Sequence, residues 1–262
     1  MISPDNRRYA YGKAQLIEVI CQLRFPTILS IDTREPADFQ ETVREAFPRY
    51  QCQVETIPGV NGAPNRTINN HTFLSEDGGY KLSLTKDFIA LSTMRYTNWE
   101  DFAARLDEPL GQFIKIYRPN CFDRVGLRFV NAFSREQLGL AGRRWNDLLQ
   151  PPYLGVLDED EIDEESVVKC SVDVERKLGA LAALKLHAGP GFVQRNIRNG
   201  NRVQQVQEKE VRFIFDQDVY STTKVKVPAV AETLNALHAH ADSVFSDAIT
   251  TVLHDAMEPE YL

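Results

Sequence analysis

The sequence predicts an α+β fold built as two related halves. Three observations carry that prediction. Short alternating strands outnumber helices, a long helical stripe closes each half, and a strand ending in Leu-Arg-Phe is written twice. It stands in "EVICQLRF" at residues 18–25 and in "DRVGLRFV" at residues 123–130.

Leu16 to Phe25 alternates, with Ile17, Val19, Cys21, Leu23 and Phe25 on one parity and Glu18, Gln22 and Arg24 on the other. That is the pattern of a half-buried strand, and Pro26 stops it. In "EPADFQETVREAFPRY", Phe39, Val43 and Phe47 recur every four residues along a helix that Pro48 ends. Residues 57–70 hold two glycines, two prolines and four asparagines, and read as a loop. "TFLSEDGGYKLSLT" is a hairpin turning at Asp77-Gly78, and "FIALSTMRY" is a further strand. Asn98 is placed as an N-cap, with Glu100 and Asp101 in the first turn, where the helix dipole favours carboxylates. Phe102, Leu106, Leu110, Phe113 and Tyr117 stripe that helix up to Pro119.

The second half repeats the order. "DRVGLRFVNAF" is its strand, "LAGRRWNDLLQPPY" its helix, and "SVVKCSVDVERKLGALAALKLHAG" two strands around Leu178-Gly179. Set without gaps, "YKLSLTKDFIALSTMRYTNWEDF" lies against "VRFIFDQDVYSTTKVKVPAVAET" and matches Asp87 with Asp218, Met94 with Val225 and Trp99 with Val230. Leu234, Leu237, Ala241, Val244, Phe245, Ala248, Val252 and Leu253 stripe a last helix. The expectation is a duplication: residues 1–120 and 121–262, intimately joined, each running strand, helix, antiparallel strands, long helix. That order suits a curved antiparallel sheet with its helices on one face, TATA-box-binding-protein-like, or a helix-grip-like fold enclosing a cavity.

Composition narrows the function classes. A net charge of −7 and a pI near 5.4 exclude a general attraction to nucleic acid or anionic lipid. No run of eighteen apolar residues exists, and "MISPDNRRYAYGKAQ" lacks the apolar core of a signal peptide. Cys21, Cys52, Cys121 and Cys170 are scattered, without a CxxC pair. They read as reduced cytoplasmic thiols, mostly small buried hydrophobes, and not as a zinc site.

The stretches "LIEVICQLRFP", "RVGLRFVNAF" and "LNALHAHADSVFSDAITTVL" together resemble a bacterial protein family of sporadic distribution and no assigned function, over nearly the whole chain. The resemblance implies no catalytic residues. A patchy distribution implies mobile loci, and so defence or toxin–antitoxin roles.

Local chemical motifs are sparse. The acidic run Asp158 to Glu165 has no glycine and contiguous acids, so it fails as a calcium loop and reads as a solvated connection. In "HAHAD", His238 and His240 point apart on a helix, while His238 and Asp242 have ligand spacing but make only half a metal site. A solvated or capping histidine is the ordinary alternative. GxSxG, the phosphate loop and HExxH are all absent from the sequence. No catalytic residue, metal or cofactor is therefore predicted.

Strand parity supplies the candidate site. The outward set contains ten bases, Arg24, Lys81, Arg95, Arg124, Arg128, Lys169, Lys185, Arg212, Lys224 and Lys226, against the acids Glu18, Asp173, Glu175 and Asp216. Arg195, Arg198 and Arg202 add to it from the loop "VQRNIRNGNR". The expectation is a non-enzymatic protein that binds a macromolecular partner, protein or nucleic acid, through an open basic sheet face. Its site residues would be Arg24, Arg95, Arg124, Arg128, Lys224 and Lys226. The alternative is a ligand-binding or enzymatic protein with a cavity between sheet and long helix. A positive groove without a pocket would favour the first, and a pocket with convergent polar groups the second.

Overall fold

The computed structural model describes residues 9–57, 66–199 and 202–261, with their side chains except those of residues 55, 57, 66, 195–199 and 202–206. The chain begins with β1 (Tyr9–Tyr11), β2 (Leu16–Arg24), α1 (Leu29–Thr33), α2 (Ala37–Val43), β3 (Arg49–Ile57), β4 (Arg66–Leu74), β5 (Tyr80–Leu84), β6 (Phe88–Thr93) and α3 (Trp99–Tyr117). It continues with β7 (Cys121–Phe122), β8 (Arg124–Phe133), α4 (Trp145–Leu148), β9 (Val172–Leu178), β10 (Ala182–Gly191), β11 (Gln194–Asn199) and β12 (Arg202–Gln207). The remaining elements are β13 (Arg212–Ser221), β14 (Val225–Lys226), α5 (Val230–Ala248), α6 (Thr251–Ala256) and β15 (Pro259–Tyr261).

Nine strands form one antiparallel sheet in the order β3-β4-β5-β6-β2-β8-β13-β10-β9. With its helices, this makes the fold α+β. The two Leu-Arg-Phe strands lie side by side at the centre, Cys21 opposite Leu127 and Arg24 opposite Arg124. Strand β6 flanks β2 and strand β13 flanks β8.

Alternation gives the sheet one apolar face. Val19, Cys21 and Leu23 of β2, Val125, Leu127 and Phe129 of β8, and Phe213, Phe215 and Val219 of β13 are all buried on it. Helix α5 lies across β8 and β13. Helix α3 packs on α2 and sets Phe113 against Phe25, ring centroids 4.7 Å apart. Asn98 caps α3 as its sequence demands, Oδ1 accepting from the Asp101 N–H at 2.8 Å. Strands β1 and β15 form a separate two-stranded sheet.

Several expectations are corrected. Helix α4 is a single turn, because Leu149 turns extended and Pro151 and Pro152 offer no N–H to continue it. Residues 66–70 belong to β4, while 58–65 lie outside the described residues, as does most of the N-terminal stretch read for a signal peptide. The segment "VQRNIRNGNR" is chiefly strand β11, which pairs with β12, and the side chains of Arg195, Arg198 and Arg202 lie outside those described. The ungapped match of closing segments holds for the helices, which begin at Trp99 and Val230, but not for the strands. Residues 80–93 turn back on themselves, with Thr85 Oγ1 accepting from the N–H groups of Asp87 and Phe88. Residues 212–221 stay extended, because β13 is hydrogen-bonded to β8 on one edge and β10 on the other.

The last apolar stripe is likewise two helices, interrupted at Ile249 and restarted by the Thr250 cap. All four cysteines are free, but only Cys21 is fully buried and Cys52 is exposed. The acidic run is not wholly solvated. Glu164 is largely buried, pairs with Arg135 at 2.9 Å and accepts the Trp145 N–H. Among the described residues no helix is long and apolar enough to cross a membrane.

Candidate functional site

Of the six basic residues predicted to bind a partner, three stand on strands of the main sheet and three do not. Arg24, Arg124 and Arg128 stand on the outer face of the two central strands. Arg95 and Lys224 lie beyond the ends of their strands, and Lys226 sits on β14, in a small sheet with β7. Of the other bases on that parity, Lys169 lies outside any strand and Arg212 is buried, its Nη2 2.6 Å from Glu208.

The outer face is also charge-paired. Arg128 bonds Asp216 through both Nε and Nη2, at 2.8 and 2.5 Å, and Arg124 reaches Asp218 at 2.6 Å. Asp218 thus joins the acids expected on this face. Gly126 is what lets the Arg124 guanidinium lie flat on the sheet, since a Cβ there would collide with it. That guanidinium stacks 4.5 Å over the Tyr220 ring, whose hydroxyl donates to Glu175 at 2.6 Å. Lys185 lies 3.6 Å from Glu175, and His187 Nδ1 2.8 Å from Asp173. The His187 hydrogen bond lowers the pKa of Asp173, and the Tyr220 hydrogen bond lowers that of Glu175. Arg95 and Lys224 have partners too, Asp77 at 2.8 Å and Asp123 at 3.1 Å. Among the described residues, ion pairs thus engage six of the ten bases, three of them across neighbouring strands of the sheet, while Arg24 donates to the neutral Gln22.

The opposite face holds a cavity of about 380 Å³ between β8, β13, the start of α3, helix α5 and strand β1. Its floor comes from Phe129 and Asn131 of β8 and Gln217 of β13. Asn131 pairs opposite Phe215 and Gln217 opposite Phe129, so the two amides are diagonal neighbours on the apolar face. They are 3% and 2% exposed, and Gln217 Oε1 has no hydrogen-bond partner among the described residues. Leaving such a group unsatisfied costs about 1–3 kcal/mol.

Helix α5 forms one wall with His238, Ala241, Asp242 and Phe245. Their spacing puts all four on or beside the stripe that packs on the sheet. His238 is buried, stacked on Trp99 with ring centroids 4.6 Å apart. Its Nδ1 faces Asp242 Oδ2 at 3.4 Å and its Nε2 faces the Tyr96 hydroxyl at 3.5 Å. Asp242 is 51% exposed and marks the way out to solvent. Trp99 Nε1 donates to Asn235 at 2.9 Å, and Gln15 donates to the Lys13 carbonyl while accepting from the Ser134 N–H. These polar groups of the wall are therefore satisfied. Tyr11 also lines the cavity, its hydroxyl 3.0 Å from His254 Nδ1. Burial, with the nearby Tyr9 and Asp242, pushes its pKa up to about 12, which keeps it neutral.

Chemically, a histidine between a carboxylate and a hydroxyl can pass a proton to or from a bound molecule. His238 is therefore neither the solvated nor the capping histidine expected from its spacing, and Asn131 and Gln217 join it as site residues outside the expected set. The signal available was that all three are polar at positions the apolar pattern assigns to the core. Among the described residues no group of three or more His, Cys, Asp or Glu side chains is placed to hold a metal ion. No family model matches the chain, and no curated protein matches it in sequence.

Proposed function

We propose that this is a ligand-binding protein which holds a small organic molecule in the cavity between the sheet and helix α5. The observation that carries the reading is the amide of Gln217, buried in the cavity floor with Oε1 unpaired. Buried polar groups are almost always hydrogen-bonded, and a ligand entering from the side of Asp242 would supply the missing partner. The volume lies at the small end of the range that ligand pockets occupy, roughly 300–1,000 Å³. A macromolecular partner on the outer face is supported less well, because Arg124 and Arg128 already have carboxylate partners there. Cytoplasmic residence belongs to the same proposal, supported by four free thiols.

The test is a thermal-shift screen of a diverse fragment library against the intact chain and the Ala241→Leu variant, whose larger side chain intrudes on the cavity from helix α5. At least one compound should stabilise the native protein, by about 2.7 kcal/mol at a hundred times its Kd, and not the variant. If nothing stabilises either protein, or the variant responds equally, the cavity is not the site.

The chain's organisation enters the proposal as well. A duplication of residues 1–120 and 121–262 is supported by the central pairing. The Leu-Arg-Phe motifs put Gln22 in the place of Gly126, and those two residues face each other across β2 and β8. A two-fold axis through that pair would exchange Arg24 with Arg128.

A further inference from the structure

Resting on the cavity reading above, we infer that the ligand is a planar nitrogen heterocycle of the nucleobase or nucleoside kind, carrying no phosphate or carboxylate. Three properties of the walls lead to that class.

The first is flat aromatic surface. Trp99 and His238 stack on each other, Phe129 stands at 64° to the His238 ring, and Tyr96 meets Phe129 edge-on at 87°. All four side chains face the cavity. A flat π-system fits such walls better than a branched aliphatic group, because offset-stacked and edge-on contacts both favour aromatic partners.

The second is the pair of amides on the floor. Asn131 and Gln217 each offer N–H donors and a carbonyl acceptor side by side. Their natural complement is an edge with donor and acceptor on adjacent atoms, as in a lactam or an aminopyrimidine. Asn and Gln read adenine through such two-point contacts. Gln217 Oε1 has no hydrogen-bond partner among the described residues, so that edge is available to a ligand.

The third is charge. No lysine or arginine lines the cavity, and the one carboxylate is Asp242 at its mouth. A phosphate would shed its water into an apolar space without a fixed counter-charge and would pass Asp242 on the way, which is strongly unfavourable. A neutral ring suffers neither penalty.

The experiment is calorimetric titration of the intact chain with free nucleobases, nucleosides and the matching 5′-monophosphates. Comparing bases with nucleosides decides whether a sugar is accommodated. At least one base or nucleoside should bind, with its monophosphate at least tenfold weaker. Gln217→Leu should weaken that binding at least tenfold with no loss of thermal stability, since it removes an unpaired group. Gln217→Glu, which keeps the shape but alters the hydrogen-bonding edge, should change the order of preference among the bases. Equal or tighter binding of a monophosphate would overturn the inference, as would binding indifferent to both variants. If library fragments bind in a manner blocked by Ala241→Leu while no heterocycle does, the ligand class is wrong and the cavity reading stands. If nothing of any class binds, both fall.

Discussion

Trp99 is held by two residues one turn apart on helix α5: it stacks on His238 with ring planes 19° apart, and its indole N–H donates to Asn235. This single side chain fixes the first turn of α3 to the middle of α5, and so sets the width of the cavity between them.

Replacing Trp99 by alanine should therefore cost about 3–5 kcal/mol, the range for a large buried aromatic. Trp99→Phe keeps the ring contact and loses the indole hydrogen bond, so it should cost nearer 1 kcal/mol. Chemical denaturation followed by circular dichroism checks both values. Equal losses in the two variants would mean that the stack contributes little.

Phe25 and Phe129 occupy the same place in the two Leu-Arg-Phe motifs, and both are buried. Phe25 packs on Phe113 and Phe122 in a closed part of the core, whereas Phe129 borders the cavity. Phe25→Ala should lie toward the upper end of about 3–5 kcal/mol and Phe129→Ala toward the lower, because existing space already reduces the contacts that Phe129 can lose. The reverse order in denaturant melts would contradict the packing described.

His71 gives the protein a pH response. It is 2% exposed, its Nε2 bonded to the Ile31 carbonyl at 3.1 Å and its Nδ1 2.9 Å from the Tyr50 hydroxyl. Burial lowers its pKa below the usual 6.5. The folded state thus binds the proton less readily than the unfolded chain. The stability that this contributes is present above about pH 6.5 and is lost as the pH falls below it. Melting temperatures between pH 7.5 and 5 should decline more steeply for the wild type than for His71→Gln. Parallel curves would show that another group dominates.

The outer face should not hold nucleic acid. Labelled DNA and RNA titrated with the intact chain at low salt are expected to show no saturable binding. Asp216→Asn combined with Asp218→Asn frees Arg128 and Arg124, and should introduce weak binding that falls steeply with added salt. Saturable wild-type binding, abolished by changing Arg24, Arg124 and Arg128 to glutamine, would restore the sheet face as the site.

What could be read in the sequence is what depends on near neighbours. Asn98 announced a cap, Asp77-Gly78 a hairpin with Gly78 at φ +67°, and the stripe from Leu234 to Ala248 a helix lying on a core. The order of the strands was beyond reach, because β2 meets β8 rather than its sequence neighbour β3. Parity put Arg124 and Arg128 outward with Asp216 on the same face, but it missed Asp218 and could not say which acid meets which base, since pairing across strands depends on register. The cavity was hidden for the same reason. Asn131, Gln217 and His238 each look like an isolated polar lapse in an apolar pattern, and only the packing of α5 on β8 and β13 makes them neighbours.

The central place of β2 and β8 has a consequence for how the chain reaches this fold. Residues as far apart as Arg24 and Arg124 must meet before the sheet can be completed. Closing so long a loop is slow, and proteins dominated by such distant pairings fold in milliseconds to seconds. During synthesis β6 can cover one edge of β2 early, but the other edge stays bare until residues 124–133 have been made. A bare, half-apolar strand edge is a template for a second chain. Dilution should therefore raise the yield of refolding, and the nascent first half should be the segment that a chaperone meets.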